Sequence, residues 1–78
     1  PLPPSDIKLK ENIKHIGNKN GINIYKFNFI GNSDIYEGVI AQEVEHIPGA
    51  TILVDGYLHV NYSLLGIEFK KTDIISVS

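Results

Sequence analysis

Ala50-Thr51-Ile52-Leu53-Val54-Asp55-Gly56-Tyr57-Leu58-His59-Val60 is two β-rich runs joined by Asp-Gly. Both turn residues tolerate the positive φ that a type I′ turn requires, so the stretch predicts a β-hairpin. Downstream, Asn61-Tyr62-Ser63 leads into Leu64-Leu65-Gly66-Ile67-Glu68-Phe69, with Ser63 placed to cap a short helical turn. The tail from Lys70 carries Ile74, Ile75 and Val77 and reads as a last strand or a fraying end. Upstream, Ile40, Val44 and Ile47 fall at helical spacing among Gln42, Glu43, Glu45 and His46. That pattern predicts an amphipathic helix of about two turns, stopped by Pro48-Gly49. Ile22 to Ile30 is the best strand, with aromatic residues alternating with polar ones over Tyr25-Lys26-Phe27-Asn28-Phe29. Its phase slips at Ile24-Tyr25, which fits a bulge or a strand with both faces partly covered. Gly17 to Gly21 reads as a loop, and Gly31-Asn32-Ser33-Asp34 as a turn.

Seventy-eight residues make one small domain, which buries a modest core and is marginal alone. Cys is absent, which excludes disulfides and thiolate metal sites. Self-association is then the remaining source of extra stability. The net charge of −2 and the lack of a basic stripe give nucleic-acid binding no electrostatic support. No apolar run approaches the roughly 18–20 residues of a membrane span. His15, His46 and His59 are scattered without a partner at ligand spacing, so neither a metal nor another cofactor is expected. Pro1-Leu2-Pro3-Pro4 has no initiator Met and reads as an extended linker, residues 1–4, ahead of a domain over 5–78. The expectation is the C-terminal piece of a longer polypeptide. The fold class expected is α+β: a β-hairpin and short strands with one or two short helices, assembled as a homotrimer.

The stretch with chemical content is Ser5-Asp6-Ile7-Lys8-Leu9-Lys10-Glu11-Asn12-Ile13. Ile7 and Leu9 have a period of two, as in a short strand; Leu9, Ile13 and Ile16 have the spacing of a helical turn. A lysine kept neutral can take the proton of a serine hydroxyl and activate it, without histidine or metal. From spacing alone two readings stand. In the commoner one Ser5 caps a turn and Lys8 and Lys10 form a solvated face. In the other, Ser5 and Lys10 (or Lys8) are a nucleophile and its base. Asp6 is read as a turn cap.

Three stretches in order resemble one family: Ser5 to Ile13, Gly38-Val39-Ile40-Ala41-Gln42-Glu43-Val44, and Asp55 to Leu65. Together, over about residues 5–66, they are similar to the C-terminal intramolecular chaperone domain of phage tail spikes and fibres, also classed as peptidase S74. The resemblance implies a domain that drives homotrimerisation and folding of the fibre or spike body preceding it in the same polypeptide. It also implies a self-cleaving serine endopeptidase acting once, which releases the domain at its own N-terminal boundary. A related domain frees membrane-bound eukaryotic transcription factors, but their surrounding sequence is missing here, which favours the viral reading. The implied setting is a virion tail precursor assembled in the host cytoplasm, with the domain absent from the mature virion once cut.

The family motif falls on Ser5 as nucleophile and Lys10 as general base, with Pro4–Ser5 as the scissile bond. Five extended residues span roughly 16–17 Å. The pair therefore meets only if the chain folds back or a neighbouring subunit supplies the lysine. Glu11, Asn12, Gln42, Glu43 and Tyr62 are expected as interface or motif residues. Two features depart from the family: a proline precedes Ser5, and no long C-terminal helix follows. A non-cleaving trimeric cap that stays on the fibre is the alternative. A carbohydrate- or receptor-binding tip, suggested only by Tyr and Asn residues, is a third.

Overall fold

The computed structural model describes residues 2–72. Six strands form two antiparallel sheets. β1 (Lys10–Lys19), β2 (Ile22–Phe29), β3 (Ile35–Gly38) and β6 (Lys70–Thr72) make one, in the order β1-β2-β3-β6. β4 (Thr51–Val54) and β5 (Tyr57–Val60) make the other. One short helix, α1 (Tyr62–Leu65), and two 3-10 turns, Ile7–Leu9 and Ala41–Glu43, complete the described residues. Helix is thus a minor component beside antiparallel strand. Ile74, Ile75 and Val77 lie outside the described residues.

The Asp55-Gly56 hairpin forms as expected, with φ of 51° and 84° and Val54 paired to Tyr57. A second hairpin of the same kind joins β1 to β2 through Asn20-Gly21, at φ 56° and 79°. Gly17 to Lys19, read as loop, are instead the last residues of β1. The phase slip at Ile24-Tyr25 is real. His15 pairs with Tyr25 and Gly17 with Ile24, so Ile16 is an extra residue on the partner strand. A second irregularity lies between Glu11 and Lys14, where Asn12 takes φ 55°.

Four further local expectations are overturned. Ile7 and Leu9 are not in a strand. Asp6 accepts from the Lys8 N–H at 2.9 Å, and Leu9 N–H donates to Asp6 O at 3.0 Å, which closes a 3-10 turn. Leu9, Ile13 and Ile16 share no helix, because the chain leaves that turn directly into β1. The predicted helix ending at Ile47 is reduced to the turn Ala41–Glu43; the Val44 N–H bonds back three residues to Ala41, and the next Ile47 bond repeats that step. In α1 the cap is Asn61, whose Oδ1 accepts from Leu64 N–H at 3.2 Å; Ser63 sits inside the turn.

The core lies where the segment after β3 meets α1 and the small sheet: Val39, Ala41, Val44, Ala50, Val60, Tyr62, Leu65 and Ile67 are all buried. An aromatic layer borders it. Tyr36 and Phe69 stack at 5.2 Å between centroids, and Phe27 packs beside both. Residues 2–5 run along the free edge of β5. Val60 N–H donates to Pro3 O and Ser5 N–H to Leu58 O, both at 3.0 Å, with Pro4 opposite His59. An edge position suits prolines, which have no N–H to offer.

Asp6 fastens this edge. Its carboxylate accepts from Lys8 N–H, Leu58 N–H and Gln42 Nε2 at 2.8–2.9 Å. Burial raises the carboxyl, but these three donors outweigh it and leave the group below its ordinary value. Asp6→Ala strands three partly buried donors and is expected to cost about 2 kcal/mol. Denaturant unfolding at fixed protomer concentration measures this; a loss below about 0.5 kcal/mol, the size of an ordinary surface substitution, contradicts it.

Candidate functional site

Ser5 has no exposed surface, and its backbone is held from both sides. Its N–H donates to Leu58 O at 3.0 Å, and its carbonyl accepts from Ala41 N–H at 2.8 Å. The side chain is thereby aimed into the core. The 3-10 turn then reverses the chain, and Lys10 enters β1 opposite Phe29. This fold-back brings Lys10 Nζ to 2.9 Å from Ser5 Oγ within a single protomer. Of the two geometries left open by the spacing, the described chain adopts the first. Lys8 is not the partner, since its Nζ reaches toward Gly56 O and the Tyr57 ring.

One carbonyl organises the pair. Val39 O accepts from Ser5 Oγ at 2.9 Å and from Lys10 Nζ at 2.8 Å. The face of Phe27 covers the amine, with Nζ 3.4 Å from the ring centroid. Lys10 is only 5% exposed. Burial lowers its pKa to about 7, against an opposing pull from the Asp6 carboxylate. Near neutral pH a substantial fraction of Lys10 is therefore a free amine whose nitrogen lies 2.9 Å from Ser5 Oγ, so that a turn of the hydroxyl from Val39 O brings its proton to the lone pair.

The other residues singled out by sequence fall in two groups. Gln42 belongs to the site's frame: its Oε1 accepts from Ile7 N–H at 2.9 Å while its Nε2 donates to Asp6. Tyr62, expected only as an interface or motif residue, is buried inside the protomer. Its hydroxyl lies 2.7 Å from Ser5 Oγ and accepts from Val39 N–H at 3.0 Å. Glu11, Asn12 and Glu43 are not brought to Ser5. Asn12 Nδ2 donates to Asn28 Oδ1, and Asn28 Nδ2 donates to Glu11 Oε2, a ladder that steadies the irregular start of β1. Glu43 accepts from the Tyr25 hydroxyl. Sequence reading missed Phe27, the Val39 carbonyl and Gly38. Phe27 and Gly38 lie in stretches already quoted, but no residue type there signals that they border Lys10 and Tyr62.

Each of the three similar stretches contributes to one place. The first supplies Ser5, Asp6 and Lys10; the second supplies Val39, Ala41 and Gln42; the third supplies Leu58 and Tyr62. Comparison with known families matches the chain to the peptidase S74 family, chaperone of endosialidase, over residues 5–52. The match spans more than half of the chain, and the protein belongs to this family. No curated protein and no solved structure matches it.

The lowered Lys10 makes stability depend on pH. In the window between about 7 and 10.5 the unfolded chain holds a proton on Lys10 that the folded chain has shed. Stability therefore rises with pH there, by about 2 kcal/mol from pH 7 to 9. Denaturant midpoints across that range are expected to climb in the wild type and to stay nearly flat in Lys10→Met. A parallel climb in both chains contradicts the assignment.

Proposed function

We propose that this chaperone domain drives trimerisation of a viral tail fibre or spike preceding it in the polypeptide, and that it frees itself by cutting Pro4–Ser5. The observation that carries the reading is the buried Ser5–Lys10 pair, 2.9 Å apart, with the amine lowered to about 7.

The chemistry follows from covalent geometry. Neutral Lys10 Nζ takes the Ser5 hydroxyl proton, and Oγ attacks the carbonyl carbon of Pro4 through a five-membered ring. The C–N bond breaks, and the proton on Nζ passes to the Ser5 nitrogen, whose N–H already points at Leu58 O. An ester between the Pro4 acyl group and Oγ remains. Water hydrolyses it to a Pro4 carboxylate and a domain beginning at Ser5. Pairing of residues 2–4 with β5 holds the acyl side in place for the attack.

Assembly is supported by apolar surface. Ile13 and Ile16 on edge strand β1, with Ile30 just beyond β2 and Leu53 on β4, are exposed, the last two by 61% and 70%. Such side chains on a small domain with an open ten-residue edge suit contact with further copies. Because the dyad forms within one protomer, a trimer has only to stabilise this arrangement and need not complete it. The expected setting is a tail precursor assembled in the host cytoplasm, with the domain lost from the mature virion.

The non-cleaving cap is kept as a second reading because Pro4 sits at the scissile carbonyl and is locked against His59. Both are tested by expressing the chain behind its upstream body and following the fragment whose first residue is Ser5. Ser5→Ala is expected to abolish the cut, and Lys10→Ala to slow it by about 10²–10⁴-fold, the usual worth of a general base. Coexpressed Ser5→Ala and Lys10→Ala chains are expected to cut no faster than Lys10→Ala alone, since neither protomer holds both groups. Faster cutting in that mixture contradicts an in-protomer dyad. A wild type that remains whole and trimeric, with Pro4→Ala restoring the cut, establishes the cap.

A further inference from the structure

Ser5 Oγ has a third polar neighbour, besides Lys10 and the Val39 carbonyl. The Tyr62 hydroxyl, on a side chain 6% exposed, lies 2.7 Å from it, 57 positions along the chain. That oxygen already accepts from Val39 N–H at 3.0 Å. Its own proton then needs an acceptor in a buried place, and Ser5 Oγ is the partner given to it. The direction is therefore fixed: Tyr62 donates and Ser5 accepts.

Two independent features keep the hydroxyl there. A side chain at Gly38 would overlap the Tyr62 hydroxyl and come within 3.0 Å of Phe69 Cδ1. Gly38 has an ordinary negative φ, so backbone freedom does not explain the glycine; clearance does. Phe69 packs on the Tyr62 ring at 5.2 Å between centroids and fixes its plane. Burial, the largest influence, raises the Tyr62 pKa, so the phenol keeps its proton through the neutral range.

We propose that Tyr62 is the third member of the Ser5–Lys10 site, its hydroxyl held by Val39 N–H and cleared by Gly38 so that it fixes Ser5 Oγ against Lys10. This rests on the self-cleavage reading above. During the attack the Ser5 proton moves to Lys10 Nζ, the new bond forms between Oγ and the Pro4 carbonyl carbon, and Tyr62 keeps its own proton throughout. Its donated hydrogen bond restrains Oγ to the position from which both the base and the carbonyl are within reach. It also stabilises the negative charge that grows on Oγ as the proton leaves.

The test is the pH profile of cleavage for the chain with its upstream body, in wild type, Tyr62→Phe and Gly38→Ala. Wild type is expected to rise with a midpoint near 7, where Lys10 loses its proton. Tyr62→Phe keeps the ring and is expected to lower the plateau by about 10–100-fold, the range for loss of one hydrogen bond of about 1.4–2.7 kcal/mol, with the midpoint unmoved. Gly38→Ala displaces the hydroxyl without deleting it and is expected to do the same. A purely structural role predicts something different: a loosened core admits water to Lys10, moves the midpoint upward, and restores the wild-type plateau at high pH. That outcome, or wild-type rates in Tyr62→Phe at every pH, overturns the proposal. If even the wild type fails to cut, self-cleavage itself fails. The Tyr62 assignment is then decided by proton NMR: a slowly exchanging Tyr62 hydroxyl with a cross-peak to the Ser5 β protons supports it, and a rapidly exchanging hydroxyl without one overturns it.

Discussion

The backbone of Ser5 is clamped between two elements that are far away in sequence. Leu58 of β5 takes its N–H, and Ala41 gives an N–H to its carbonyl. Everything at the site follows from that clamp. It leaves the hydroxyl no direction but inward, where Val39 O and Tyr62 wait. It sets residues 2–4 along the edge of β5. It also fixes where the next turn starts, so that the 3-10 reversal over Ile7–Leu9 delivers Lys10 back to its starting point. The clamp cannot exist before β5 and the segment after β3 have formed. The site is thus a consequence of the whole fold, and a chain only partly folded has no dyad.

Burial then supplies the chemistry. A lysine in water near pH 7 is an ammonium and cannot act as a base. Here the Phe27 face and the surrounding core exclude solvent, and that loss of hydration makes the charged form expensive. The cost falls on the folded state, which is less stable below pH 7 than it would be with an apolar residue at position 10. A small domain of this size has little stability to give up. In the proposed trimer, contacts through its exposed isoleucines and Leu53 would offset that loss.

Parts of this were legible in the sequence, and for identifiable reasons. Asp55-Gly56 declared its hairpin because both residues tolerate positive φ and both flanks are β-rich. Asn20-Gly21 carries the same signal, but it was masked by the polar run from Gly17 and reads as loop. The spacing of Ile40, Val44 and Ile47 describes burial correctly for the first two, yet it does not describe a helix. The Val44 and Ile47 N–H groups each bond back three residues, so the chain descends through 3-10 steps instead. Ile7 and Leu9 alternate like a strand, but the Asp6 side chain closes a turn on them. Ser5 and Lys10 were nameable through family resemblance. Their contact, and the part played by Tyr62, Phe27 and Gly38, depend on pairings up to 57 positions apart, which no local pattern records.

The most direct measurement is the titration of the Lys10 amine itself, followed by nitrogen-15 NMR of a Ser5→Ala domain that cannot cut. The account predicts a midpoint near 7, well below the ordinary lysine value of 10.5. A Lys10 midpoint above about 9.5, close to that of an ordinary solvated lysine, would contradict it, because the amine would then be charged and hydrated beside Ser5 and unable to take its proton.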